Sequence, residues 1–239
     1  MTLRIAMWSG PRNLSTAMMR SWENRPDTVV MDEPLYAAYL AATGLDHPGR
    51  DEIIEAGVAD YDAAIETCRR HGDDAAVSYQ KQMAHHLLAD TDLAWLDEMR
   101  NCLLLRNPRR VLASYTKVRE TVTLTDIGVP QQHALAERCE LIVDSDDFLT
   151  DPAHYVRAIC TRLGAPLDDR LLAAMLSWPA GTRESDGIWA RHWYGAVEAS
   201  IGFGPAPSGP PPPLPTHLRH LAQEADEIYR TLHERRLVL

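Results

Sequence analysis

The chain has 239 residues, enough for one large α/β domain or two small ones. Its 24 basic and 34 acidic residues leave a net charge of −10, which argues against a general nucleic-acid binder, a class that carries a basic surface. Any anion site must therefore be a local basic pocket in an acidic protein. Residues 3–8 (LRIAMW) read as a first strand and 14–24 as a helix with one apolar side. Residues 27–34 (DTVVMDEP) read as a second strand broken by Pro34, followed by helical sequence over 35–42 and 51–71. A third strand lies within 74–83, and 85–99 returns to helix. The run NCLLLRNP (101–108) is continuously apolar until Asn-Pro stops it, the pattern of a fully buried parallel strand. Helical spacing resumes over 109–121, and 139–149 reads as a fifth strand entering a loop. In the next helix Asp151 is the N-cap, Pro152 the first helical residue and Gly164 the stop. Strands alternating with helices imply βαβ units and a mostly parallel sheet covered on both faces, a three-layer α/β fold.

Residues 205–215 break the composition with a proline-rich run that cannot join a sheet; it suits a ligand for a proline-binding partner or, the favoured reading, a stiff connector to the last helix. The main domain is thus 1–204, and 216–239 form a C-terminal helix. Leu218, Leu221, Ala225, Ile228 and Leu232 make an apolar stripe along that helix. The stripe suits either a homodimer seam or docking on the main body, and its two heptads favour docking. No stretch approaches the ~18 apolar residues that span a bilayer, and no secretory signal opens the chain. Cys68, Cys102, Cys139 and Cys160 form no CxxC pair and read as thiols of a reducing cytoplasm.

Two segments carry chemistry. The first, SGPRNLST (9–16), links a strand to a helix whose unpaired N–H groups favour an anion. Gly10 permits a tight turn, Arg12 adds fixed charge, and Ser15 and Thr16 offer hydroxyls. The second glycine and the lysine of a triphosphate loop are missing, so a metal-dependent ATPase or kinase is poorly supported. The second segment, LLLRNPRRVLASY, sets Arg106 at a strand end and Ser114 eight residues on, in the next helix. The two residues can converge on a second phosphate.

Together these segments resemble the cytosolic-type sulfotransferases, a P-loop-like fold whose donor is 3′-phosphoadenosine 5′-phosphosulfate (PAPS). Gly10, Pro11, Arg12, Asn13, Leu14, Ser15 and Thr16 stand where the family's first signature holds the phosphosulfate end. Arg106-Asn107-Pro108-Arg109-Arg110-Val111, then Ser114-Tyr115, match the second, whose Arg and Ser hold the 3′-phosphate. Arg12 replaces the family lysine and Leu14 a glycine, and the later Arg-Lys-Gly motif has no clear counterpart; 187–204 is the nearest stretch. That stretch, with DEPLY and KQMAHHL, is similar to a bacterial branch of the family.

The resemblance implies sulfuryl transfer to a hydroxyl or amine of a small-molecule acceptor, with PAPS as co-substrate and no metal. Arg12, always charged and able to bind an anion through two donors, is the charge-stabilising candidate, and the resemblance sets Lys81 near the bridging oxygen. Three sites compete as base. Glu33, before Pro34, matches a catalytic Glu of some bacterial relatives, and Asp32 is its neighbour; the other roles open to Glu33 are a surface carboxylate and a partner for Arg12. His85 and His86 follow strand three, displaced from the Lys-x-His of mammalian-type enzymes. His192 is a further candidate. Trp189, Trp193 and Tyr194 suit stacking on adenine, walling the acceptor pocket, or packing on the sheet. A P-loop phosphotransferase or hydrolase and a non-catalytic nucleotide-binding protein are the alternatives.

Overall fold

The computed structural model describes residues 2–239. Strands β1 (Leu3–Ser9), β2 (Thr28–Asp32), β3 (Val77–Met83), β4 (Arg100–Leu105) and β5 (Leu141–Asp144) form one parallel sheet in the order β2-β3-β1-β4-β5. In chain order the helices are α1 (Ser15–Glu23), α2 (Tyr36–Thr43), α3 (Arg50–Ala56), α4 (Tyr61–Arg70), α5 (Pro108–Tyr115), α6 (Val129–Leu135), α7 (Ser145–Phe148), α8 (Pro152–Leu163), α9 (Asp169–Leu176), α10 (Ala190–Trp193), α11 (Gly195–Glu198) and α12 (Arg219–His233).

Successive strand residues feed opposite layers because side chains alternate across a sheet. Ile5 and Met7 of β1, with Cys102 and Leu104 of β4, pack against α1 and α8 through Met18, Trp22, Val156 and Ile159. Ala6, Trp8, Leu103 and Leu105 face the other layer with Ala64, Trp95 and Leu232. Both faces are buried, so β1 and β4 read as unbroken apolar runs rather than alternating ones.

Four boundaries differ from the sequence reading. The helix expected over 51–71 is two helices. Gly57 packs so tightly on α2 that a Cβ there would sit 2.5 Å from Ala37 Cβ, and Asp60 starts α4 afresh by accepting from Ala63 N (2.8 Å). The helix expected over 85–99 is two 3₁₀ turns, Ala84–His86 and Ala94–Glu98. Asp92 caps the second by accepting from Ala94 N (2.9 Å), so the Asp-Thr-Asp between them acts as a break. Helix α5 stops at Tyr115 rather than continuing to 121. The loop after β5 is a helical turn, α7, capped by the Asp144 carboxylate. Helix α8 starts and stops as read: Asp151 accepts from His154 N (3.1 Å) and Gly164 adopts φ 74°.

Helix α12 docks on the body: Ala222 and Ala225 pack with Val111, Leu112, Ile127 and Val129, and Leu232 enters the lower core layer. The proline-rich stretch before it has neither helix nor strand and is tied by Arg110 Nη2 donating to Gly209 O (2.6 Å). Among the described residues no helix is long and apolar enough to cross a membrane.

From β1 the chain moves one way along the sheet, to β2; from β4 it moves the other way, to β5. The crevice between the carboxyl ends of β1 and β4 is therefore the switch point at which open α/β sheets bind ligands.

Candidate functional site

A cavity of about 480 Å³ opens at that crevice. The 9–16 loop forms one wall. Gly10 is required by close approach: a Cβ there would lie 2.6 Å from Ile127 O and 2.8 Å from Gln132 Nε2. Arg12 holds the left-handed conformation at φ 56°, which is uncommon outside glycine. Asn13 fixes the loop by accepting from Leu14 N (2.7 Å) and donating to Leu104 O of β4 (2.8 Å). No side chain caps the start of α1, so its first N–H groups stay free for a ligand.

Arg12 Nε donates to Ser114 Oγ (3.0 Å), and Arg106 Nη1 donates to the Arg12 carbonyl. The two sequence segments thus meet in one cluster, with Arg12 on the Ser114 side. Fifteen of the arginines pair with a carboxylate, but among the described residues neither Arg12 nor Arg106 has one within 4.0 Å. Burial pulls the Arg106 pKa down; the like charges of Arg110 and Arg12 add to this, and Asp146 and Asp144 oppose it from beyond pairing distance. In a protein of net charge −10, two adjacent cations without carboxylates are short of an anion.

A second cluster lies at the ends of β2 and β3. Register places Asp32 beside Lys81. Lys81 Nζ donates to Asp32 Oδ1 (2.9 Å), to Glu33 Oε1 and to Tyr194 OH, so its three N–H groups all have protein partners. The Tyr194 hydroxyl in turn lies 2.7 Å from Asp32 Oδ2, and Gly187 N donates to that oxygen (3.2 Å). Asp32 is thereby tied up by the closing segment. Glu33 is the other non-glycine residue at positive φ (42°). It pairs with Lys81 and not with Arg12. Its Oε2 faces His86 Nε2 across 3.9 Å, too far for a hydrogen bond. Burial raises the Glu33 pKa, partly offset by Lys81 and reinforced by Asp32. Burial lowers that of Lys81, but the two carboxylates outweigh it and the net shift is upward.

The remaining wall is aromatic. Tyr36 and His86 stack at 4.6 Å, Tyr39 stacks on His86 at 4.8 Å, and Tyr36 OH lies 2.8 Å from His47 Nδ1. Burial pushes the His85 pKa down to about 3 and that of His86 well below its ordinary value, so both rings are neutral at pH 7.

The cavity gathers Pro11, Arg12, Asn13, Leu14, Ser15, Thr16, Glu33, Lys81, His85, Arg106 and Ser114 from among the residues read as functional. Gly10 sits behind this wall against Gln132, and His192 is exposed and outside it. Trp193 and Tyr194 line the cavity, whereas Trp189 stands behind Tyr36, edge-on at 5.3 Å. Sequence reasoning missed Tyr36, His47, Tyr115 and Arg119. Tyr36 was within reach, because it closes the DEPLY stretch three residues after Glu33, and Tyr115 stood in the second segment beside Ser114 without being given a role; His47 and Arg119 carry no spacing signal.

The curated relatives include two proteins of Arabidopsis thaliana, branched-chain-amino-acid aminotransferase-like proteins 1 and 2. They are 31% and 30% identical over 234 residues, covering 95% of this chain. The chain spans only 41% of the length of each. Among solved structures, the sulfotransferase domain of the Synechococcus PCC 7002 olefin synthase superposes with a TM-score of 0.59 at 15% identity, covering 97% of this chain and 95% of that one. A sulfotransferase domain from the curacin biosynthetic pathway gives 0.50 at 13%, over 95% and 98%. At such identities these two share the fold alone. The sequence itself, however, matches the sulfotransferase domain family across residues 3–236, and the protein therefore belongs to that family.

Proposed function

We propose that this chain transfers a sulfuryl group from PAPS to a hydroxyl or amine of a small-molecule acceptor. The observation that carries this reading is the meeting of Arg12, Arg106 and Ser114, with neither arginine paired to a carboxylate, at the crevice beside an uncapped helix start. A nucleotide with phosphates at both ends of its ribose supplies the anions these groups lack. The α1 N–H groups and Ser15 and Thr16 hold the 5′ end, and Arg106 and Ser114 hold the 3′-phosphate. Arg12 lies between, able to serve either.

Sulfuryl transfer needs in-line placement and stabilisation of charge on the leaving phosphate. As the acceptor oxygen forms its bond to sulfur, the sulfur–oxygen bond to the 5′-phosphate breaks and the electron pair leaves with that phosphate. Arg12 and the start of α1 meet the developing charge. The acceptor proton passes to Glu33 Oε2, the carboxylate oxygen that Lys81 leaves free. Glu33 suits this role better than His85 or His86, because a base works best with a pKa near the working pH and burial moves the histidines away from it. The pH profile of turnover should carry an acidic limb above 4.5, the ordinary glutamate value, since the raised Glu33 pKa delays its ionisation. Below that limb the base is protonated and the rate falls.

Calorimetry tests the donor. Adenosine 3′,5′-bisphosphate should bind roughly tenfold to a hundredfold more tightly than 5′-AMP, the worth of one charge-assisted contact. Equal affinities, or preference for ATP with Mg²⁺, would overturn the assignment. Arg12→Ala should lower single-turnover transfer more than it weakens bisphosphate binding, because backbone N–H groups keep much of the ground-state grip.

A further inference from the structure

The half of the cavity above β3 and β2 has a character of its own. Tyr36, His47, His85 and His86 line it, joined by Tyr115, Val118 and Arg119 from the end of α5 and the loop that follows. Its walls are flat rings. His86 is 1% exposed, and neither of its ring nitrogens has a partner; His85 Nδ1 is also buried and unpaired. Neutral imidazoles each offer one donor and one acceptor to a ligand. The gap from Glu33 Oε2 to His86 Nε2 is one that a single oxygen can bridge with about 2.8 Å to each side.

The outer edge carries a charge. Arg119 Nη1 donates only to the backbone carbonyl of Asp46 (3.2 Å), spanning the mouth between the α5–α6 and α2–α3 segments. Among the described residues Arg119 has no carboxylate within 4.0 Å. Its charge is felt inside: burial and Arg119 together hold His47 down to about 4. Asp126 and Asp46 oppose that effect on His47, but Asp126 Oδ2 accepts from Thr123 N (2.8 Å), neither carboxylate lies within 4.0 Å of Arg119, and neither residue lines the cavity. Lys81, the other cation of this half, is spent on Asp32 and Glu33. The site thus has a proton acceptor at its inner end, flat sides, and one uncommitted guanidinium at its mouth.

Resting on the sulfotransfer reading, we propose that the acceptor is a small planar hydroxy acid, with its hydroxyl between Glu33 Oε2 and His86 Nε2 and its acid group on Arg119. The hydroxyl accepts from His86 and donates to Glu33. On attack its proton goes to Glu33, its oxygen bonds to sulfur, and the donor phosphate leaves with the electron pair. Guanidinium pairs with a carboxylate through two parallel bonds, which sets the length of the acceptor as well as its charge.

The test is calorimetry on the full chain saturated with adenosine 3′,5′-bisphosphate, using 4-hydroxybenzoate, neutral 4-cresol and cationic tyramine. The acid is expected to bind about tenfold to a hundredfold more tightly than the cresol, with tyramine weakest. Arg119→Gln should bring the acid-to-cresol ratio close to one, and Arg119→Lys should restore part of it. Equal binding of acid and cresol by the native chain, an unchanged ratio in Arg119→Gln, or no binding of the acid would overturn the inference and leave the donor assignment standing. Failure of the bisphosphate itself to bind would overturn the donor assignment and this inference with it.

Discussion

Glu33→Gln is expected to lower turnover by about 10²–10⁴-fold while leaving bisphosphate affinity nearly unchanged. The substitution keeps shape and hydrogen-bonding length but removes the proton acceptor. Its Oε1 can still accept from Lys81, so the β2–β3 corner should hold, and the φ of 42° is set by the backbone bonds Glu33 N to Lys81 O (2.9 Å) and Tyr36 N to Glu33 O (3.0 Å). The acidic limb of the pH profile should disappear along with the rate. Single-turnover rates and a bisphosphate titration on the same preparation separate the outcomes. A variant with near-normal turnover would move the proton to His85 or His86. A variant that lost nucleotide binding and rate together would make Glu33 a structural residue.

Lys81→Met should cost about 3–5 kcal/mol of stability, the usual result of removing one partner from a buried ion pair. The lysine side chain is 2% exposed and that of Asp32 1%, so the Asp32 carboxylate cannot recover the lost charge from water. The pH dependence has a definite sign. In the native chain the raised Lys81 pKa means its contribution is fully present below 10.5 and is lost as pH rises through the higher folded value. In the variant Glu33 loses the lysine charge that partly offset its burial and is forced further upward in pKa, a penalty felt above the unfolded glutamate value of 4.5 that shrinks as pH falls toward it. Urea midpoints at neutral and mildly acidic pH measure both effects. A loss below about 1 kcal/mol, accompanied by a large fall in transfer rate, would instead make Lys81 part of the chemistry, the role the family resemblance suggests.

What was legible in the chain follows from the range of the interactions involved. Strands β1 and β4 were visible because a buried parallel strand needs an unbroken apolar run, and Asn107-Pro108 marks where one ends. Helix α8 was visible to the residue, because its cap, its first-turn proline and its terminal glycine act within their own few positions. The 9–16 loop and Arg106 with Ser114 stood out for the same reason: each is a local spacing on a strand–helix turn. The helix expected over 51–71 failed where tertiary contact intruded, at Gly57 against α2, whereas the one expected over 85–99 failed at a local break that the apolar spacing hid, the Asp90-Thr91-Asp92 turn whose last carboxylate accepts from Ala94 N.

By itself, then, the sequence determined the α/β alternation, the family and the two segments that meet in the cavity wall. Only the folded chain decided which side chains meet. Arg12 and Ser114 are 102 residues apart, and Lys81 and Tyr194 are 113 apart. These pairs exist because the strand order sets β1 beside both β3 and β4, and because the segment after α9 folds back over β2. Strand order is chosen by the burial of whole faces, a sum over many apolar contacts that no short motif encodes. Glu33 illustrates the difference. Its place at a strand end was readable, but its partnership with Lys81 and its unpaired oxygen toward His86 arose only when β2 and β3 came into register.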